Sequence, residues 1–283
     1  MGPEAKVQRS GASGWPGIQV GDWRRLVRCD RWIDSMSESL QRWRLAFARD
    51  DEARFLSHLD AVKLWERAFR RGGIPVATSE GFSPRPRVVF AAPLPLGMLA
   101  EHELADIFLA ERLTAHDMRA RLAAGMPRGY RVVDLHDEWL GAPALAPQLV
   151  AADYRVVLLE IGRAAADDGI RTLLAAARLP REKRREDKVV AYDLRPLLID
   201  LRATDLEAAP GAEPALSPGG RAVGLWMRLR HSQDEGSGRA EEVVAALADA
   251  LPGRAAASSA EPSIEIVHPV RERLWLHAEL PIP

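Results

Sequence analysis

Short stretches of alternating apolar and polar residues, separated by stretches with helical spacing, constrain the fold of this chain most. Trp43, Leu45 and Phe47 alternate with Arg44 and Ala46 and predict a half-buried strand. Leu59–Phe69 has helical spacing and ends before a Gly-Gly stop. Two serine/threonine–aspartate pairs sit in capping-box positions before helices: Ser57 with Asp60, and Thr114 with Asp117.

The remaining first-half patterns complete the order β-α-β-β-α-β, and this order recurs in the second half. We therefore expect an α+β protein with two ferredoxin-like units in tandem and antiparallel sheets. Further strands are predicted at Val88–Ala92, Leu104–Leu109, Tyr130–Leu135, Tyr154–Ile161, Lys188–Ala203 (bent at Pro196), Val223–Leu229, Ile264–His268 and Leu274–His277, with helical spacing at Ile170–Ala177 and Val243–Leu251.

The predicted boundaries follow from changes in composition. Residues 1–41 show no periodicity, so we expect a flexible or mis-annotated extension, with Met36 as the hypothetical native start. A first unit is expected at 42–141, a Pro/Ala-rich linker at 142–152 and a second unit at 153–283. The second unit is interrupted by Gly/Pro/Ser-rich stretches, which predict mobile loops at 208–220 and 233–238.

Composition excludes several classes of protein. A net charge of −1 is not that of a broadly basic nucleic-acid coat protein, and 47% hydrophobic residues are typical of a globular chain. Cys29 is the only cysteine, so this chain cannot form an intrachain disulfide or a Cys-based metal cage. The sequence has no apolar run of membrane-spanning length and no apolar signal core, so we expect a cytoplasmic protein without membrane contact.

The stretch Arg54–Asp60 is the first candidate site. It brings Ser57, His58 and Asp60 to the start of a helix beside Arg54. Helix N-termini bind anions through free amides, so a phosphate with Arg54 and His58 as side-chain donors is one interpretation. The alternative is that Ser57 and Asp60 only cap the helix and that His58 packs or lies on the surface.

The stretch Ser79–Arg87 is the second candidate site. Two prolines stiffen it and present Arg85 and Arg87, with Phe82 nearby. An aromatic ring with neighbouring arginines suits stacking and phosphate contacts on single-stranded RNA. The alternative is that Phe82 packs in the core and the arginines are solvated.

Charge placement gives partial support to a basic site. Residues 42–90 contain ten Arg or Lys against six Asp or Glu, while a mixed run at 181–188 is typical of a solvated loop. Asp193 and Arg195 lie two residues apart and are expected to form a structural pair or to order a partner. We expect no metal site, because His102, Glu103 and Asp106 are more typical of a hairpin rim than of a metal site.

Several of these motifs together resemble a bacterial family: the radical-SAM-associated domain of unknown function, found alone or behind a cobalamin-binding radical SAM enzyme. The matching segments are Arg54–Asp60, Glu66–Ala68, Gly81–Pro86, Pro93–Gly97 and Asp193–Pro196, within about residues 42–275. Where family members often carry Asn and His, this chain has Ser83 and Arg85. To our knowledge the family has no assigned activity, so the resemblance implies a partnership and not a reaction.

The resemblance leads to three hypotheses. A radical SAM cluster needs three thiolates, so with one cysteine any such chemistry belongs to another polypeptide. The first hypothesis is a non-catalytic accessory protein that recognises tRNA or rRNA and presents it to a radical SAM enzyme. The second is a docking scaffold for that enzyme without nucleic-acid binding. The third is an RNA-processing enzyme that uses His58 with Arg54. No cofactor is expected in this chain.

Overall fold

The computed structural model describes residues 39–80, 82–185, 188–205, 221–232, 236–251 and 266–280. The proposed start at Met36, Cys29 and the loop at 208–220 lie outside the described residues. Four α-helices occur in the described ranges: α1 (His58–Arg71), α2 (Ala115–Gly125), α3 (Arg163–Ala175) and α4 (Ala240–Ala250). The strands are β1 (Gln41–Arg49), β2 (Val88–Phe90), β3 (Leu99–Leu109), β4 (Tyr130–Glu138), β5 (Leu149–Leu159), β6 (Pro180–Arg185), β7 (Lys188–Asp193), β8 (Leu198–Thr204), β9 (Ala222–Ser232), β10 (Gly236–Ser237) and β11 (Ile266–Leu276).

Most strands form one nine-stranded sheet in the order β10-β9-β5-β11-β3-β1-β4, with β2 paired to β3 and β8 paired to β9. The pairs are antiparallel except for β11 with β3, where Val270 lies opposite Leu99. The expected α+β class is therefore confirmed. Because β11 pairs with β5 on one side and β3 on the other, the two halves of the chain share a continuous sheet.

The core consists of two apolar clusters, and the second extends into the first half through Met98 and Leu104. In the first half, Trp65 and Phe69 of α1 are buried with Trp43 and Phe47 of β1, and the Trp65 and Phe47 rings meet edge to face at 5.2 Å. Helices α1 and α2 approach closely, since a Cβ atom on Gly125 would lie 2.3 Å from the Ala68 carbonyl oxygen. The second core contains the buried residues of α3, α4, β5 and β9.

Several predicted boundaries are corrected by the sheet. Strand β3 begins at Leu99, five residues before the predicted start, and β4 continues to Glu138, because both pair along β1. The two predicted terminal strands are one strand, β11. The predicted extended segment Lys188–Ala203 is divided into β7 and β8 by a 3₁₀ turn at Arg195–Leu197.

Two predicted loops and the linker also differ from the structure. Leu149–Ala152, placed in the linker, belong to β5 and pair with β11. Gly236 and Ser237, placed in a mobile loop, form β10 against Ser232 and His231. The basic run at 181–188, expected to be a solvated loop, contributes to the β6–β7 hairpin. Within the described residues, no helix has the length and apolar character needed to cross a membrane.

Candidate functional site

The start of α1 forms the predicted capping box. The Ser57 hydroxyl accepts a hydrogen bond from the Asp60 amide at 3.2 Å and donates to the Asp60 carboxylate at 2.7 Å. Arg54 donates to Asp51 at 2.8 Å and stacks 4.7 Å from the centre of the Phe55 ring. Asp50, Asp51, Glu52 and Asp60 outnumber Arg54 here. This geometry favours the capping interpretation, because surplus negative charge disfavours a phosphate.

His58 lies half-buried at the next position. Its ring contacts Phe90 edge to face at 5.9 Å and lines a cavity of about 20 Å³ together with Arg49 and Tyr130. A cavity of this size holds no more than a water molecule. Among the described residues, no hydrogen bond or ion pair joins His58 to a second acid or base, and Glu103, which lines the same cavity, is paired with Arg271.

The stretch Ser79–Arg87 is exposed around Phe82 and Arg85. Phe82 is fully exposed, at 106% relative accessibility, so the alternative that it packs in the core is wrong. The Arg85 amide donates to the Ser79 hydroxyl at 3.1 Å. Arg87 stacks on Phe108 at 4.5 Å and donates to the Ser39 hydroxyl at 2.8 Å.

The two predicted stretches are not brought together. Arg54 and His58 follow the carboxyl end of β1, whereas Arg87 contacts Ser39 just before the amino end of β1. Among the described residues, no hydrogen bond or ring contact joins Arg54 or His58 to Phe82, Arg85 or Arg87, although His58 contacts Phe90, three residues after Arg87.

Three of the ten basic residues between positions 42 and 90 are internal. Arg42, Arg44 and Arg49 are all buried. Arg42 and Arg44 both pair with the buried Asp106, and Arg49 donates to the Pro95 and Met98 carbonyl oxygens. The excess of basic residues in this segment is therefore partly structural and is a weaker indication of a nucleic-acid surface than the sequence suggests.

Asp193 and Arg195 bond to backbone groups, and their two side chains do not bond to each other. The Asp193 carboxylate accepts from the amides of Leu179 and Arg195, and these bonds lower the pKa of this carboxyl group. The Arg195 guanidinium donates to the carbonyl oxygens of Leu174 and Leu198. Both residues therefore fix the turn between β7 and β8, which is a structural role.

The sequence did not predict an ion pair that links the two halves. Arg271 of β11 and Glu103 of β3 are both buried and make two hydrogen bonds, at 2.6 and 2.5 Å. Arg271 also donates to the Pro93 carbonyl oxygen at 3.2 Å. Burial opposes the charge on Arg271, but Glu103 and Tyr154 raise its pKa above the ordinary arginine value. This ion pair fixes the Pro93 segment against the shared sheet.

A cleft lies beside this ion pair, between the two halves. Its volume is about 530 Å³, and it is lined by Pro93–Pro95 and Met98 from the first half and by His231 and the start of α4 from the second. Burial, followed by the charge of Arg271, lowers the pKa of His231 to about 4, so its imidazole is neutral at pH 7. Among the described residues, the buried Nδ1 atom of His231 has no hydrogen-bond partner.

The second half also carries alternating arginines and tryptophans on one face of its sheet. We call this set the tryptophan–arginine face: Arg202, Trp226, Arg228, Arg273 and Trp275. Arg202 lies 4.0 Å from the centre of the Trp226 ring, Arg228 lies 4.7 Å from the Trp275 ring, and Arg273 lies 4.1 Å from the Trp275 ring. These contacts form a continuous row across β8, β9, β5 and β11.

Carboxylates hold the two indole rings of this face. The indole N–H of Trp226 donates to Glu272 at 3.0 Å, and that of Trp275 donates to Asp153 at 2.8 Å. Asp153 also accepts two hydrogen bonds from Arg228. These hydrogen bonds therefore fix the orientation of both indole rings before any ligand binds. Period-two spacing of Trp226 with Arg228, and of Arg273 with Trp275, is the sequence signal that could have identified this face.

The described residues contain no group of three or more His, Cys, Asp or Glu side chains arranged to hold a metal ion. Glu103 forms an ion pair with Arg271, and Asp106 forms ion pairs with Arg42 and Arg44. Among the described residues, Glu103 and Asp106, two of the three rim residues considered in the sequence, are thus partners of arginines, and His102 is not.

Comparison with known proteins gives one family match. A family described as "Uncharacterized protein conserved in bacteria (DUF2344)" matches residues 42–234. No curated protein matches the sequence.

Three solved structures match this chain at low identity and low TM-score. A chain of a Cbf5-Nop10-Gar1 complex is 8% identical with a TM-score of 0.42, and the match covers 81% of this chain and 49% of that one. This chain thus spans about half the length of that relative. A protein of unknown function from Galdieria sulphuraria is 14% identical with a TM-score of 0.23, and a Cas6 product complex is 16% identical with a TM-score of 0.20. Each of these two matches covers 74% of this chain and 91% of the other.

Proposed function

We propose that this chain, which belongs to the bacterial family DUF2344, is a non-catalytic accessory protein that binds single-stranded RNA and presents it to a radical SAM enzyme supplied by another polypeptide. The tryptophan–arginine face supports the part of this proposal that concerns RNA. Unpaired bases stack on aromatic rings and on guanidinium planes, and arginines also contact phosphates.

The arrangement of this face suits such binding. Trp226 and Trp275 are half-buried and anchored through their indole N–H groups, so binding costs little side-chain ordering. Arg202 is exposed, and its contact with Trp226 offers a planar surface for a base. The rings belong to β9 and β11, the two strands that flank β5. A single-stranded RNA that crosses the sheet would therefore meet both rings.

We further propose that each half is a ferredoxin-like unit. The strand order β4-β1-β3-β2 in the first half and β8-β9-β5-β11 in the second supports this topology, in which the first and third strands are central. An open sheet face opposite two helices is the surface that RRM domains use for RNA, which is an analogy of fold only.

The proposed RNA binding is tested by measuring the affinity of the protein for a fluorescent 12-nucleotide RNA at two salt concentrations. We expect Trp226→Ala and Trp275→Ala each to weaken binding by about 1–3 kcal/mol, the value of one base–aromatic stack. Higher salt is expected to weaken binding by the unchanged protein. Arg171→Ala is the matched control, because Arg171 is an exposed arginine of α3 that pairs with Asp168. Equal losses for all three variants would contradict the proposed surface.

The proposed partnership with a radical SAM enzyme rests on the family resemblance and on the single cysteine. Its test is affinity purification of the tagged protein from its own bacterium after nuclease treatment, with iron and acid-labile sulfide measured in the eluate. We expect a co-purifying polypeptide that carries a closely spaced three-cysteine motif and an iron–sulfur cluster. An eluate without iron and sulfide would reject this partnership.

A second function, protein docking without RNA, is favoured by one observation. Three large apolar side chains are exposed near the start of α1: Phe55 (70%), Leu59 (69%) and Leu96 (66%). We call these three residues the apolar patch. Phe55 lies close to Gly97, next to Leu96, so the two segments adjoin. Exposed apolar patches of this kind mark protein contacts.

Two substitutions distinguish the docking function from the RNA-binding function. Under the docking alternative, Leu59→Asp abolishes co-purification of the partner, and Trp226→Ala leaves it unchanged. Under the RNA proposal, Trp226→Ala lowers RNA affinity, and Leu59→Asp does not. The enzymatic hypothesis for His58 predicts loss of function in His58→Ala, whereas both binding proposals predict that this variant remains functional in vivo.

A further inference from the structure

The cleft between the two halves has the dimensions and walls of a ligand site. Its volume of about 530 Å³ lies within the range of roughly 300–1,000 Å³ that ligand pockets occupy. One wall is apolar, with Pro93, Leu94 and Met98, and the buried Tyr154 also lines the cleft. Such a wall suits the flat face of a planar ring.

The opposite wall carries two carboxylates beside one guanidinium. Glu241 and Glu242, in the first turn of α4, both line the cleft, and Arg239 lines it next to them. His231 adds a neutral imidazole with a buried Nδ1 atom. Ionised carboxylates accept hydrogen bonds and a guanidinium donates them, so this wall suits a ring edge that carries an N–H donor beside an acceptor.

We propose that this cleft binds one unstacked nucleobase that carries an exocyclic amino group, with its ring against Pro93, Leu94 and Met98 and its amino group donating to Glu241 or Glu242. A carboxylate accepting from the N4 amino group of cytosine is an established base contact. Enzymes and binding proteins that take a base out of its stack read it in this way, between an apolar wall and polar groups at its hydrogen-bonding edge.

RNA is the source of the base in this inference, which in that respect rests on the proposed function. Arg230 and His231 are consecutive residues of β9, so one belongs to the side of the tryptophan–arginine face and the other lines the cleft. Beside His231, the outer neighbour of β9 is the two-residue strand β10. Within the described strands, this short edge is what a single strand of RNA would cross to pass between the two surfaces.

The test compares cytosine with uracil, which have the same size and differ at one edge. Cytosine carries an amino group and an acceptor ring nitrogen there, whereas uracil carries a carbonyl oxygen and a ring N–H, so only cytosine offers the exocyclic donor. Affinities of the full chain for C12 and U12 RNA are measured by fluorescence anisotropy, and affinities for CMP and UMP by calorimetry. We expect C12 to bind about tenfold tighter than U12, within the usual value of a base-specific contact. In the double variant Glu241→Gln/Glu242→Gln this ratio is expected to fall to near one, with U12 affinity unchanged.

Two controls isolate the cleft. Asp249→Asn removes a carboxylate from the same helix outside the cleft lining, where Asp249 pairs with Arg181, and should keep the tenfold ratio. Trp226→Ala should weaken C12 and U12 equally. Thermal unfolding of each variant verifies that the fold is retained.

The outcomes separate the inference from the proposed function. RNA binding with equal affinities for C12 and U12 overturns the cleft inference and leaves the RNA proposal intact. Preference for CMP over UMP that depends on the two glutamates, without RNA binding, supports the base site, assigns its source to free nucleotides and rejects the RNA proposal. Absence of preference in both the RNA and the nucleotide arms overturns the inference.

Discussion

The buried Arg271–Glu103 pair shows how single residues connect the halves of this protein. Its two charges lie in β11 and β3, 168 positions apart in sequence, and both side chains are under 5% exposed. A buried charge that loses its partner is strongly unfavourable, because the desolvation penalty remains without compensation. The pair therefore matters less as a source of stability than as a requirement that the two strands lie side by side.

Glu103→Gln is expected to lower the free energy of unfolding by about 3–5 kcal/mol, because it leaves the Arg271 charge buried with only neutral partners. Glu101→Gln provides a control two residues earlier in the same strand. Glu101 pairs with Arg155 but is 44% exposed, so a loss below about 1 kcal/mol is expected. Urea denaturation of both variants makes the measurement, and equal losses would show that Glu103 does not have this role.

His231 gives the fold a defined sensitivity to acid. Its pKa is lowered to about 4 in the folded protein, against an ordinary value near 6.5. Between these values the unfolded chain binds a proton that the folded chain does not, so stability falls as the pH drops from about 6.5 to about 4. Above this window the residue has no effect on the pH dependence.

His231→Gln should remove this part of the acid sensitivity. The pKa of His102 is also lowered by burial and acts in the same direction, so the comparison is the difference between the variant and the unchanged protein. The melting temperature of the unchanged protein should fall more steeply between pH 6.5 and 4 than that of the variant. Parallel curves would contradict the role of His231.

At the scale of elements, the crossing of α1 and α2 depends on two glycines that allow backbone contact. A Cβ atom on Gly125 would lie 2.3 Å from the Ala68 carbonyl oxygen, and one on Gly72 would lie 2.3 Å from the Arg121 carbonyl oxygen. Backbone atoms cannot rotate away as the end of a side chain can. The helices must therefore separate if either glycine gains a side chain.

Gly125→Ala is expected to destabilise the protein by about 1–3 kcal/mol, which is the usual cost of overpacking. Gly162→Ala is the matched control, because a Cβ atom there meets only the flexible Arg221 side chain at 3.8 Å and φ is −86°. We expect that control to change stability by less than about 0.5 kcal/mol. Chemical denaturation of the two variants distinguishes a close helix crossing from a general effect of removing glycine.

Elements controlled by neighbouring residues were predictable from sequence. Ser57 and Thr114 cap α1 and α2 as their capping boxes predict, because a cap depends on residues three positions apart. The strand at Gly236 was missed although its partner Ser232 is only four residues away, because Gly and Ser there are typical of a loop. The division at Arg195 was not predicted, since it depends on the pairing of β8 with β9, further along the chain. The cleft was not predicted for the same reason, because its walls come from distant segments.

At the scale of the whole molecule, a shared sheet makes the two halves one mechanical unit. Strand β11 pairs with β3 as well as β5, and Arg155 of β5 donates to Glu101 of β3 at 2.8 Å. Local pattern analysis predicted two units of similar order but contained no information on this parallel contact. Which strands pair across the middle depends on charges and surfaces that are far apart in the chain.

Calorimetry tests this unity. We expect one unfolding transition, with a calorimetric enthalpy equal to the van't Hoff enthalpy, because neither half can lose β11 or β3 without exposing the Arg271–Glu103 pair. Two separate transitions would indicate that the halves fold independently. The Glu103→Gln variant offers a sharper version, since weakening the shared contact should broaden or split the transition.

The parallel contact between β11 and β3 also sets an order of events during synthesis. Strand β3 leaves the ribosome about 160 residues before β11, and at 5–20 residues per second this interval lasts roughly ten seconds or more. Throughout that time the nascent chain carries Glu103 without the cation that neutralises it, and one edge of β3 without its final neighbour. Completion of the sheet is therefore a late event that depends on β11, which is translated after every other described strand.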